Sequence, residues 1–220
     1  SKVLNEAVFE RKYLYACHLQ LLENSGDRFK HMRGTAHFTG PHTVMVSRSD
    51  ARTTVHADHF VIATGSRPRS MPDVRVDERR ILSSDGIFAI NDLPESIVIV
   101  GAGVIGCEFA TIFSNFGRTR VHMIDRADRI LPFEDADVSG TITRELERKG
   151  VIIHHGARLE RMEAMPHGVE YTISGQDGRT TVTTELALLS VGRVPNTDGL
   201  GLEHTGVERD TASGRIVVND

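Results

Sequence analysis

The amino-acid sequence predicts an α/β fold in which a parallel sheet with crossover helices runs on into an antiparallel meander. Three observations carry this. Residues 97–154 alternate strand, helix, strand, helix, strand, an order that implies right-handed crossovers and a parallel sheet. The run Ile97-Val98-Ile99-Val100 is β-branched throughout and suits burial on both faces of such a sheet. From Leu159 onward, short strand-like runs are separated by turn residues, the pattern of an all-β segment.

Residues 2–24 read as a helix, with Leu4, Val8, Tyr15, Leu19 and Leu22 recurring on one face. Its charges are mixed in sign, which favours a core-facing helix over one lying on a membrane or a partner. Ser25-Gly26-Asp27 ends it. Strand-like runs follow at Met32–Phe38, Thr43–Ser47 and Thr53–His56, and Phe60-Val61-Ile62-Ala63 is a compact apolar strand stopping at Thr64-Gly65. Arg67–Arg80, charged and holding two prolines, reads as loop or linker. After the strand at Ile97, a helix runs from about Val104 to Phe116 with Ile105, Phe109, Ile112, Phe113 and Phe116 on one side, stopped by Gly117. Val121–Asp125 is the next strand, Asp135–Lys149 the next helix and Val151–His154 the third strand. Leu159–Ala164, Val169–Ser174 and Thr180–Thr184 form the meander, with a hairpin turn at Gln176-Asp177-Gly178. Leu186–Val191 is a further buried strand, and Arg215–Val218 a last strand-like run.

With 220 residues the chain is one large domain or two small ones. Hydrophobic residues at 39% and charged residues at 25% describe a globular protein and exclude a disordered tail. The longest apolar run, Ile97 to Cys107, is broken by three glycines, so no segment is suited to spanning a bilayer. A net charge of -4 gives no sign of a nucleic-acid surface. Cys17 and Cys107 match no redox or disulfide spacing, which points to a reducing, cytoplasmic setting. Eleven histidines, among them His154-His155 and the group His37, His42, His56 and His59, lack the spacing of a helical metal site. No metal ligand and no catalytic side chain is assigned.

The chemistry is carried by Gly101-Ala102-Gly103-Val104-Ile105-Gly106, a G-x-G-x-x-G between a strand and a helix. Asp125 ends the next strand 19 positions after Gly106, which is the context that turns this weak motif into a dinucleotide-binding fingerprint. Gly101 permits the tight turn, Gly103 lets a pyrophosphate approach the backbone, and Gly106 lets helix and sheet pack closely. The helix N-terminus offers unpaired N–H groups to the phosphates. Asp125 suits a ribose diol and favours NAD, whereas Arg126 and Arg129 just beyond it could take a 2′-phosphate. The expected ligand is therefore NAD(P).

Three runs extend the reading. Ile99-Val100-Gly101-Ala102-Gly103-Val104-Ile105-Gly106-Cys107-Glu108-Phe109-Ala110 resembles the nicotinamide-binding segment of the flavin-dependent pyridine nucleotide–disulfide oxidoreductases. Val61-Ile62-Ala63-Thr64-Gly65-Ser66-Arg67-Pro68 resembles the signature at the end of that family's flavin domain, and Ser190-Val191-Gly192-Arg193-Val194-Pro195-Asn196-Thr197 the one where the chain returns to it. Within the family the chain is most similar to the soluble transhydrogenase branch and next to the dihydrolipoyl dehydrogenase branch. The resemblance implies a Rossmann-like nicotinamide-binding domain at 94–195, part of a flavin domain at 1–93 and a return segment at 196–220. It implies hydride exchange between a nicotinamide and FAD, with NADPH giving a hydride that NAD+ collects. It places Glu108 near the nicotinamide carboxamide, Leu159 on the adenine side and Gly192 against the nicotinamide ring. Thr64, Gly65, Ser66 and Ala36 fall toward the flavin cofactor.

The family's first G-x-G-x-x-G, its C-x-x-x-x-C pair and its C-terminal interface domain do not occur in these residues. With Ser rather than Met at position 1, the expectation is a middle slice of a homodimeric parent. Such a slice would bind NAD weakly or moderately, hold no flavin and have no turnover of its own. The rival expectations are a dihydrolipoyl dehydrogenase segment and a non-catalytic NAD-binding module.

Overall fold

A computed structural model describes residues 2–175 and 178–219. Helix α1 spans Lys2–Glu23, strands β1–β4 are Thr35–Gly40, Thr43–Arg48, Ala51–His56 and Ser66–Pro68, and β5 is Ile81–Ser83. Then follow β6 (Ser96–Val100), α2 (Val104–Asn115), β7 (Arg120–Ile124), α3 (Ala136–Arg148) and β8 (Ile152–His154). Strands β9 (Arg158–Met165), β10 (Gly168–Gly175), β11 (Gly178–Thr184), β12 (Leu186–Leu189) and β13 (Arg193–Pro195) complete the order. The chain forms two compact units, one of Pro68–Gly192 with the first residues of the chain, the other of Phe9–Arg67 and Arg193–Asp220.

The first unit is the α/β one. Its five-stranded parallel sheet has the order β5-β12-β6-β7-β8. The sheet is buried on both faces, which is why β6 and β12 are apolar at every position but the first of β6. On one face Ile97, Ile99, Val121, Met123 and Leu188 pack with Phe109 and Phe113 of α2 and Leu146 of α3. On the other, Val98, Val100, Ile124 and Leu189 pack with Leu159, Met162, Val169, Tyr171 and Ile173 of the antiparallel sheet β11-β10-β9. Each of the aliphatic, Met and Phe side chains among these contributes about 1.5–3 kcal/mol by leaving water.

Several expectations are corrected. Ile81–Ser83, inside the stretch 1–93 that sequence set apart, pairs with β12 at the edge of the parallel sheet, and three residues are too few to show a period. Phe60–Ala63 is not a strand: no ladder includes it, although Phe60 and Ile62 pack against Phe38, Val44 and Leu202 while Val61 is 91% exposed. Arg215–Val218 makes only a single bridge, Ile216 with Arg209. The strand placed at Met32–Phe38 begins at Thr35. Tyr15 and Leu22 of α1 are exposed, as are Phe9, Tyr13 and Leu14, while Val8 and Leu19 are half-buried, so among the described residues only part of the face its spacing suggested is covered. The side chain of Leu4 and the turn residues Gln176 and Asp177 lie outside the described residues.

In the second unit β1, β2 and β3 form an antiparallel sheet in that order. The run 64–67 is laced to 193–198. Thr64 Oγ1 donates to Asn196 O (2.7 Å), Arg193 Nε to Ser66 Oγ (2.7 Å), and Arg67 pairs with Asp198 (3.0 Å).

Strand alternation puts His122 and His154 on the meander side of the parallel sheet. Nδ1 of His122 is 3.4 Å from Nε2 of His154, the ring centroids are 5.7 Å apart and the planes differ by 10°. These values set the rings end to end and nearly coplanar, so one ring donates and the other accepts. Burial holds both rings below the usual histidine range, helped at His122 by His154 and Arg120 and at His154 by His155. The unfolded rings take up protons near pH 6.5 and the folded pair resists doing so. The stabilisation is therefore complete above about pH 6.5 and is lost as pH falls below it. Thermal unfolding followed from pH 7.5 to 5.5 is expected to show a falling midpoint, with a shallower fall in His122→Gln. An equal slope in the two proteins would contradict this assignment.

Candidate functional site

The turn after β6 is built from three glycines that do different things. Gly101 has φ +100°, and its N–H donates to Ile124 O at 2.8 Å. A side chain there would be strained, and its Cβ would lie 2.5 Å from Ser190 O. Gly106, in the first turn of α2, rests against the carbonyl of Gly101, and a Cβ there would overlap that oxygen. Ser190 locks the pair, its N–H bonding Val100 O (2.8 Å) and its hydroxyl bonding Val100 O (3.0 Å) and Gly101 O (2.8 Å). Gly103 is the N-cap of α2, and a Cβ built on it would meet nothing within 4 Å. Two glycines thus serve packing, while the third leaves bare backbone toward open space.

No side chain caps α2, so its first-turn N–H groups and the positive end of its dipole are available to an anion. Asp125 follows β7 directly. Its Oδ2 accepts from Ala102 N at 2.5 Å and its Oδ1 from Ala127 N at 2.8 Å. The carboxylate is thereby tied into the glycine turn, and each oxygen keeps a lone pair for a further donor. Behind the turn, burial first, then the charges of Asp125 and Glu108, push the Cys107 thiol up to about 11. It stays protonated and donates weakly to Ala102 O, a packing role with no nucleophile in it.

A cleft of about 800 Å³ opens at this turn. Gly101, Gly103, Val104, Ile105, Asp125, Arg126, Leu159 and Gly192 all line it, so most of the sequence candidates in this unit converge. Gly106 lies beneath the surface. Glu108 faces solvent farther along α2, outside the cleft wall. The two arginines that looked equivalent separate: Arg126 lines the cleft, whereas Arg129 donates to Pro132 O at 2.9 Å. Thr64, Gly65, Ser66 and Ala36 belong to the second unit, where Ala36 is exposed on β1 and Thr64 and Ser66 bond Asn196 and Arg193.

Sequence reasoning missed Arg69, Met71, Pro72 and Phe133, which also line the cleft. The first three lie in the segment read as linker, and Phe133 is 98% exposed. Apolar residues stranded in polar loops were the available signal. Among the described residues no group of three or more His, Cys, Asp or Glu converges as a metal requires, and no helix is long and apolar enough to cross a membrane.

Comparison with known proteins identifies the family. The family described as pyridine nucleotide-disulphide oxidoreductase matches residues 1–220. The soluble pyridine nucleotide transhydrogenase of Pseudomonas aeruginosa is 36% identical over 220 residues, covering 100% of this chain and 44% of that protein. The dihydrolipoyl dehydrogenase of Bacillus subtilis is 37% identical over 184 residues, covering 83% and 39%. Among solved structures, a mutant of the HOCl-induced flavoprotein disulfide reductase RclA from Escherichia coli, as its Cu(II) complex, has a TM-score of 0.81 at 26% identity, covering 94% of this chain and 46% of that one. LpdA from Mycobacterium tuberculosis has a TM-score of 0.71 at 32% identity, covering 82% and 40%. The chain thus spans less than half the length of these relatives.

Proposed function

Because the chain belongs to the pyridine nucleotide-disulphide oxidoreductase family, we propose that its cleft is the nicotinamide dinucleotide site of a flavoprotein that exchanges hydride between NADPH and NAD+. One observation supports this above the others: bare backbone at Gly103 faces open space beside a carboxylate already tied into the same turn. The residues fit the ligand. Gly101 and Gly103 with the first turn of α2 hold the pyrophosphate, Gly106 and Ser190 fix their shape, and Asp125 takes the ribose hydroxyls. Val104, Ile105, Leu159 and Gly192 give the apolar and flat surfaces that two aromatic rings need. Glu108, which the family resemblance sets near the carboxamide, stands on α2 outside the cleft wall and is given no contact with the ligand.

In this reading the second unit belongs to the flavin side, with Thr64, Gly65, Ser66 and Ala36 as the residues that approach FAD. Nicotinamide and flavin, when bound, supply the hydride chemistry, and the chain supplies binding and orientation. A second reading, dihydrolipoyl dehydrogenase, is supported by the 37% identity to the Bacillus subtilis protein. The full-length protein separates them: reduction of an NAD+ analogue by NADPH without any dithiol supports the first. NAD+ reduction that occurs only with dihydrolipoamide would replace it with the second.

A further inference from the structure

Strand β7 pairs with β8, the edge strand of the parallel sheet, and the register sets His122 and His154 on the same face. Both are half-buried, so solvent reaches them, and neither lines the dinucleotide cleft. Nδ1 of His122 lies 3.4 Å from Nε2 of His154, the ring centroids are 5.7 Å apart and the planes differ by 10°. The centroid separation is the nitrogen separation extended by one ring radius at each end, so the two nitrogen axes fall on one line and face each other. The gap is too long for a strong hydrogen bond from N–H, which wants roughly 2.7–3.2 Å. It falls slightly short of the ~4 Å that an ion between two imidazoles needs at about 2 Å from each nitrogen.

We propose that His122 and His154 form a two-coordinate site for a closed-shell monovalent cation, Cu(I), held on the line between the two nitrogens. Copper accepts imidazole, and a monovalent d10 ion is satisfied by two collinear donors. Zinc asks for four donors in a tetrahedron, and among the described residues no third His, Cys, Asp or Glu joins the pair. The charge of Arg120 bears on His122, and it opposes a divalent ion about twice as strongly as a monovalent one. Half-burial leaves the rings room to turn, and the χ2 torsion of histidine is broad, so the gap opens by about half an ångström at little cost. The ion replaces the proton between the rings. That proton passes to the other nitrogen of the ring that donated it, and both rings remain neutral imidazoles.

The test is anaerobic titration of the full chain with Cu(I), kept reduced by ascorbate and buffered by a chromophoric chelator. Of the two thiols, Cys107 is buried and Cys17 half-buried. Cys17 is therefore replaced by Ser in every protein compared, because a thiolate would compete for the ion. One equivalent is expected to bind and to shift the ring-nitrogen resonances of His122 and His154 together. His122→Gln and His154→Gln are each expected to weaken binding about 100-fold or more, since loss of even an outer partner costs a metal site roughly 10–100-fold. Circular dichroism checks that each variant folds, and either one suffices. His155→Gln, one residue along, is expected to bind as the parent does. Absence of Cu(I) binding, binding that survives both substitutions, or an equal loss in His155→Gln would overturn the site. Zn(II) bound as tightly as Cu(I) would overturn the two-coordinate geometry.

Discussion

Gly106→Ala is expected to abolish measurable NADH binding and to lower stability. The added methyl carbon would overlap the carbonyl of Gly101 and approach Ser190 Oγ to 2.9 Å. Neither can retreat freely. Gly101 is held by its bond to Ile124 O, and Ser190 by three bonds to the end of β6 and the turn. Helix α2 must therefore move off the sheet, which costs about 1–3 kcal/mol as an overpacked contact does. That corresponds to a fall of roughly 2–12 °C in the unfolding midpoint for a domain of this size. The first-turn N–H groups move with the helix. Losing even two charge-assisted bonds to phosphate weakens binding by about 100-fold or more. Calorimetric titration together with thermal unfolding reads both effects, and a variant that binds NADH normally would contradict the packing role of Gly106.

Asp125→Ala is the second large effect. It removes the acceptor from Ala102 N and Ala127 N at once and strips the ribose of its partner. NADH affinity is expected to fall roughly 30- to 100-fold, the worth of one or two bonds to a charged group. Asp125→Asn keeps one acceptor oxygen, so its loss is smaller. NADPH should suffer less than NADH in both variants, because the negative charge nearest the 2′-phosphate disappears. An equal loss for the two nucleotides would place the ribose elsewhere.

What was legible in the sequence follows from how local the constraint is. The turn at 101–106 could be read because only glycine suits the φ of Gly101 and the contact at Gly106, and because β6 and β7 are apolar enough to stand out. Strand β5 could not be read: three residues show no period, and its place depends on β12, about a hundred positions away. The run Phe60–Ala63 misled because alternate residues are covered by packing while the backbone joins no ladder. Arg126 and Arg129 were indistinguishable as letters, and the structure separates them by the cleft that Arg126 lines and the bond from Arg129 to Pro132 O. Leu159, by contrast, entered through family resemblance and does line the cleft.

The account turns on Gly103, where a Cβ would meet no protein atom within 4 Å and would stand where the proposed diphosphate lies. The decisive measurement is NADH titration of the unsubstituted protein and of Gly103→Val, alongside the unfolding midpoint of each. Saturable binding by the former, lost in the variant while the midpoint stays within about 3 °C, the shift of roughly 1 kcal/mol, is the predicted result. Binding that survives the valine, or no saturation of the unsubstituted protein at millimolar NADH, would contradict a diphosphate cradle at this turn.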